Sequence, residues 1–224
     1  MIRHPVTVAI VTVALWSGVQ SQGTPIPTRQ PRRLESIVQD MFFQTQRSGS
    51  LALRGQCEDA PLGSGIASDV VPNGPEGPFR DLTIALGALS RLDRHIVWTE
   101  NQEGLMRVSD DRLNGEILGI RVKEMHFDRV VTINAAIRVV MSTPEVRHHL
   151  AENHIEQFPT FPHGAPVSTE GFPVLSGDWS DLTVAQSLDR IVKFFPGLWI
   201  YSECGDGPLR RVHVRGAIVG WPAK

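Results

Sequence analysis

The chain predicts an α+β fold made of repeated small β-α-β units, with short helices packed on mixed sheets. Three observations carry that expectation. Asp81-Leu82-Thr83-Ile84-Ala85 recurs 100 positions later as Asp181-Leu182-Thr183-Val184-Ala185, and such self-similarity signals one supersecondary unit used more than once. Helical apolar spacing, opened by a threonine, occurs in both halves of the chain. The two copies of the pentapeptide are each followed by a run of strand composition that contains a tryptophan, Trp98 or Trp199.

Residues 1–22 read as a secretory signal peptide: a basic start at Arg3 and His4, an apolar stretch of 11 residues from Val6 to Trp16, and a small-polar tail. The apolar run is shorter than the roughly 18 to 20 residues a spanning helix needs, so no transmembrane span is expected once the signal is removed. A retained anchor is the alternative. Residues 23–33 hold Pro25, Pro27 and Pro31 without an apolar face and are expected to form an extended tether.

Residues 34–157 are expected to form a first α/β region with an N-terminal helix and two repeat units. Leu34, Ile37, Val38, Met41 and Phe42 make the helix face, and Leu51 to Gly55 reads as a strand leading to Cys57. From Glu58 to Pro78, four glycines and four prolines predict a surface loop. In the first repeat the expected helix face is Ile84, Ala85, Ala88, Leu89 and Leu92, followed by a strand at Ile96 to Thr99 and a returning strand at Leu105 to Val108. The second repeat places a strand at Ile117 to Val122 before a helix that Thr132 opens.

Residues 158–173 are a Pro-rich loop, and residues 174–217 form the C-terminal β-α-β-β unit. There Thr183 and Gln186 have capping-box spacing, and Val184, Leu188, Ile191, Val192 and Phe195 share one face. Pro196-Gly197 ends the helix, Leu198 to Ser202 has strand composition, and Arg211 to Arg215 alternates as the returning strand.

Composition narrows the partners. The chain carries 22 basic and 24 acidic side chains without a basic stripe, so nucleic acid is not an expected partner. Cys57 and Cys204 are the two cysteines. In an exported chain they are expected to pair, although spacing alone leaves open whether their α-carbons come within reach.

Chemistry-bearing patterns are sparse. Glu145, His148 and Glu152 fall one helical turn apart and could offer a carboxylate–imidazole face to a divalent metal. The bland reading is a solvated helix face whose buried side is Val146, Leu150 and Ala151. Ser64 lacks the flanking residues of a nucleophile elbow, and no glycine-rich phosphate loop is present, so no cofactor and no catalytic residue is expected. Trp98, Trp199 and Tyr201 are candidate interface residues, because large aromatics on strands anchor contacts; core filling is their other use.

Thr183, Val184, Leu188, Ile191, Gly197 and Leu198 together resemble the short N-terminal domain of secretins and TonB-dependent receptors, a small β-α-β unit usually present as two interlocked copies. Thr132, Ile133, Ala136 and Ile137 match its helix. The resemblance covers a little under half of the chain and consists of packing positions. Thr143-Pro144-Glu145, which starts an additional helix, and the Pro-rich loop depart from it. The resemblance implies contact with envelope proteins. The functional expectation is therefore an exported, periplasmic or secreted, non-catalytic binding or scaffolding module with an envelope protein partner. The alternative is a secreted metal-binding protein or hydrolase that uses His148 and Glu152.

Overall fold

A computed structural model describes residues 31–57, 66–72, 74–158, 173–205 and 210–219. The signal peptide, Ser64, the Pro-rich stretch from 159 to 172 and most of the Gly205–Pro208 turn lie outside the described residues. Among the described residues the fold is α+β, with six helices packed on mixed sheets.

Leu34, Ile37, Val38, Met41 and Phe42 are all buried on α1 (Leu34–Thr45), as their spacing predicts. β2 (Gly49–Cys57) follows and pairs antiparallel with β3 (Ile66–Ser68). β4 (Val70–Val71) pairs with β1 (Arg32–Arg33). The expected tether and surface loop thus each contribute to a sheet, because Ala67 and Val71 find buried places despite the surrounding glycines and prolines.

α2 (Leu82–Leu92) leads into the antiparallel pair β5 (Ile96–Glu100) and β6 (Met106–Asp110). Its buried stripe is Leu82, Ala85, Leu86 and Leu89, whereas Ile84 is 71 % and Leu92 55 % exposed. The expected face was therefore rotated. Asp81, whose carboxylate accepts from the Ile84 amide at 3.1 Å, caps this helix, and Leu82 opens its buried stripe.

A short helix, α3 (Glu116–Gly119), occupies the first residues of the strand expected at 117–122, and β7 (Arg121–Val130) begins after it. Gly115 in the left-handed region and Ile117, buried beneath the turn, start the chain helically there. Thr132 caps α4 (Ile133–Met141) by accepting from the Ala135 amide at 3.2 Å. α5 (Pro144–Glu152) buries Val146 and Leu150 but leaves Ala151 exposed, and β8 (Glu156–Gln157) follows it. β9 (Leu175–Thr183) pairs antiparallel with β7 as a separate ribbon.

α6 (Val184–Phe194) has the expected capping box: Thr183 accepts from the Gln186 amide at 3.1 Å, and the Gln186 side chain accepts from the Thr183 amide at 2.8 Å. Val184, Leu188, Ile191, Val192 and Phe195 are all buried. β10 (Gly197–Cys204) and β11 (Arg211–Ile218) complete the unit as an antiparallel pair.

The helix-then-paired-strands units do not keep separate small sheets. They merge into one seven-stranded sheet of order β5-β6-β2-β10-β11-β8, with β3 on β2, and it is covered on both faces. Leu51, Leu53, Met106, Val108, Leu198 and Ile200 face α1 and α2. Ala52, Trp199, Tyr201, Val212 and Val214 face the layer of α3 to α6 and the β7–β9 ribbon. A strand buried on both sides carries a continuous hydrophobic run, and Leu198-Trp199-Ile200-Tyr201 is such a run, its two polar tips satisfied by Asp189 and Glu203. Each such side chain contributes about 1.5 to 3 kcal/mol on burial.

Candidate functional site

β6, β2 and β10 lie side by side and run parallel, so their carboxyl ends share one rim of the sheet. Crevices at that end of parallel strands are where α/β sheets collect ligand-binding groups. Here the rim holds a cavity of about 380 Å³, lined by Arg54 from β2, Arg112 and Asn114 after β6, Glu203 from β10, Arg210 before β11 and Asn153 after α5. Cys204 also borders it.

Glu203 is the buried acid of this cleft. Its Oε2 accepts from the Tyr201 hydroxyl at 2.7 Å and its Oε1 from the Asn114 amide at 3.0 Å. Burial, reinforced by the Glu203 charge, pushes the Tyr201 hydroxyl far above its ordinary pKa, so it stays a neutral donor. Arg210 donates to Glu116 through Nη1, and this bond holds the Glu116 carboxyl below its usual range against the opposing pull of burial. The Arg210 Nη2 is buried, lies 4.0 Å from the Glu203 Oε2 and has no hydrogen-bond partner among the described residues.

Arg112 is held from two sides. Its Nε donates to the Asp110 Oδ1 at 2.9 Å, and its Nη2 donates to the Asp110 Oδ2 at 2.6 Å and to the Asp69 Oδ2 at 3.0 Å. Burial alone would raise the Asp110 pKa, but the bonds and charge of Arg112 outweigh it and leave the carboxyl below its ordinary value. The same bonds push the guanidinium further up, against its own burial. What this arrangement can do chemically is offer fixed N–H donors.

The structure brings two pairs of sequence-predicted residues together, Cys57 with Cys204 and His148 with Glu152. Cys57 and Cys204 form a disulfide with α-carbons 5.2 Å apart, joining β2 to β10 at the cleft. Trp199 and Tyr201 are fully packed in the core between the sheet and α6, so neither offers a contact surface. The reason is the central position of β10: a residue on either of its faces meets a helix layer. Trp98 is half-buried against the α1–α2 core. His148 and Glu152 pair on α5 at 3.0 Å with both side chains largely in solvent. Among the described residues no three His, Cys, Asp or Glu side chains converge as metal ligands do.

Trp98 lies on a second notable feature, the sheet edge. β5 is the terminal strand at its end of the sheet among the described residues. The Asp111 amide donates to the His95 carbonyl and the Asn101 amide to the Leu105 carbonyl, so the odd-numbered residues bond inward to β6. By antiparallel alternation the backbone groups of Trp98 and Glu100 face outward. The strand carries neither lysine nor proline, the usual protection of an edge, and Val97 is exposed on it.

Sequence reasoning missed the cleft. Arg54, Arg112, Asn114, Asn153 and Arg210 are scattered along the chain, and only the parallel register of distant strands gathers them. The available signal was positional: Arg54, Arg112 and Glu203 each sit at the carboxyl end of a strand or just beyond it.

Comparison of the chain with protein-family models, with curated proteins and with solved structures finds no match.

Proposed function

We propose that this chain is an exported, non-catalytic binding module of the cell envelope that contacts a protein partner by strand addition at β5. The observation that carries this reading is the open edge of the seven-stranded sheet, where the backbone groups of Trp98 and Glu100 face away from β6. A partner strand laid there gains main-chain hydrogen bonds, and Val97 offers an apolar contact beside them. Trp98 supports the edge from behind, since its ring packs on the α1–α2 core while its backbone remains available.

The disulfide supports an oxidising compartment. No helix of the described residues is long and apolar enough to cross a membrane. The resemblance to the short N-terminal domain of secretins and TonB-dependent receptors supports an envelope partner.

The test places a photo-crosslinking residue at Thr99 in the native host and repeats the capture with Val97→Lys, a charge that blocks edge pairing. A crosslinked envelope protein that disappears in Val97→Lys is the expected result. Capture that is unchanged by Val97→Lys, or metal- or serine-dependent turnover by the purified protein, overturns the reading.

A further inference from the structure

We infer that the cleft at the carboxyl ends of β6, β2 and β10 is a binding site for a small oxyanion-bearing ligand, a carboxylate or a phosphate. The argument is an accounting of donors. A guanidinium has five N–H groups and no acceptor. Arg112 spends its Nε and Nη2 on Asp110 and Asp69, which leaves both hydrogens of Nη1. Arg210 spends Nη1 on Glu116 and leaves Nη2 buried with no hydrogen-bond partner among the described residues. A buried N–H without an acceptor costs about 1 to 3 kcal/mol, and an acceptor supplied by a ligand recovers that cost.

The carboxylates that hold these arginines also fix them, so binding loses little side-chain freedom. The Asn114 side chain and Arg54 extend the donor-rich lining. Among the described residues Glu203 is the one acid that lines the cleft, and both of its oxygens already accept, from the Tyr201 hydroxyl and the Asn114 backbone amide. Charge-assisted bonds from guanidinium to carboxylate or phosphate are about twice as strong as neutral ones. A cavity of about 380 Å³ falls in the range that encloses a small molecule. Its polar walls select a ligand rich in acceptors over an apolar one.

This site is separate from the β5 edge, and the test keeps the two apart. Calorimetric titration of the purified chain at low ionic strength, with sodium phosphate in one arm and sodium citrate in the other, is read against sodium chloride. At least one oxyanion is expected to bind more tightly than chloride, and the preferred arm tells phosphate from carboxylate chemistry. Arg210→Gln is expected to weaken binding by tenfold or more. Because Arg210 also holds Glu116, the second variant is Asn114→Asp, which adds a negative charge at a side chain with no hydrogen bond of its own among the described residues and is expected to weaken binding to the same degree. Val97→Lys is expected to leave it unchanged. Binding no tighter than chloride in both arms, or oxyanion binding that Asn114→Asp leaves intact, overturns the inference.

Discussion

Cys57 and Cys204 join the ends of two neighbouring parallel strands across 147 residues of sequence, with Cys204 in register opposite Gly55. The bond closes much of the chain into one loop. In the chain-entropy picture a loop of this length restricts the unfolded ensemble by an amount worth about 5 kcal/mol. The double variant Cys57→Ser, Cys204→Ser is therefore expected to lose about that much stability. Denaturant unfolding of the oxidised protein and the variant checks it, and a loss under about 1 kcal/mol would contradict the entropic account.

The two copies of the internal pentapeptide differ in which residue caps the helix. Asp81 caps α2, but at the equivalent place Asp181 lies in β9 with φ 60°, and Thr183 caps α6 two residues later. Ile84 consequently lies in solvent while its counterpart Val184 is fully buried. Val184→Ala is expected to cost about 2 kcal/mol through the cavity it leaves, and Ile84→Ala less than about 0.5 kcal/mol. Asp81→Ala is expected to cost about 1 kcal/mol as a lost cap. Thermal unfolding of the three variants checks the order, and equal losses at 84 and 184 would mean that the helices bury equivalent faces.

That divergence marks how far the fold was legible. The helix α6 and the two strands after it could be read because their signals are local: the Thr183–Gln186 cap, the stripe from Val184 to Phe195, the Pro196-Gly197 stop and the alternating Arg211 to Arg215. The face of α2 was not legible because Leu82 and Leu86 on one side and Ile84 and Leu92 on the other are equally apolar, and only packing chooses between them. The single seven-stranded sheet was hidden because the β2–β10 pairing spans the whole domain and leaves no local pattern. Its consequence, burial of Trp199 and Tyr201 on a central strand, was hidden with it. The cleft followed the same rule, since Arg54, Arg112 and Arg210 look like ordinary scattered arginines until parallel strands bring their ends together.

The β7–β9 ribbon carries a pH-sensitive contact. The His126 Nδ1 lies 2.5 Å from the Asp178 Oδ1, in register across the ribbon. The hydrogen bond and charge of Asp178 raise the His126 pKa above its ordinary 6.5, with Asp128 and Glu124 adding to the effect. A group whose pKa is higher when folded stabilises most below its unfolded value, and the contribution fades as pH rises through the folded value. The protein is therefore expected to lose a small increment of melting temperature as pH rises from about 6.5 toward 8. The increment is small because both side chains are exposed, and added salt is expected to shrink it further. His126→Gln removes the titrating group and Asp178→Asn its partner, so either variant is expected to flatten that part of the melting profile. The wild-type slope persisting in both would place the titrating group elsewhere.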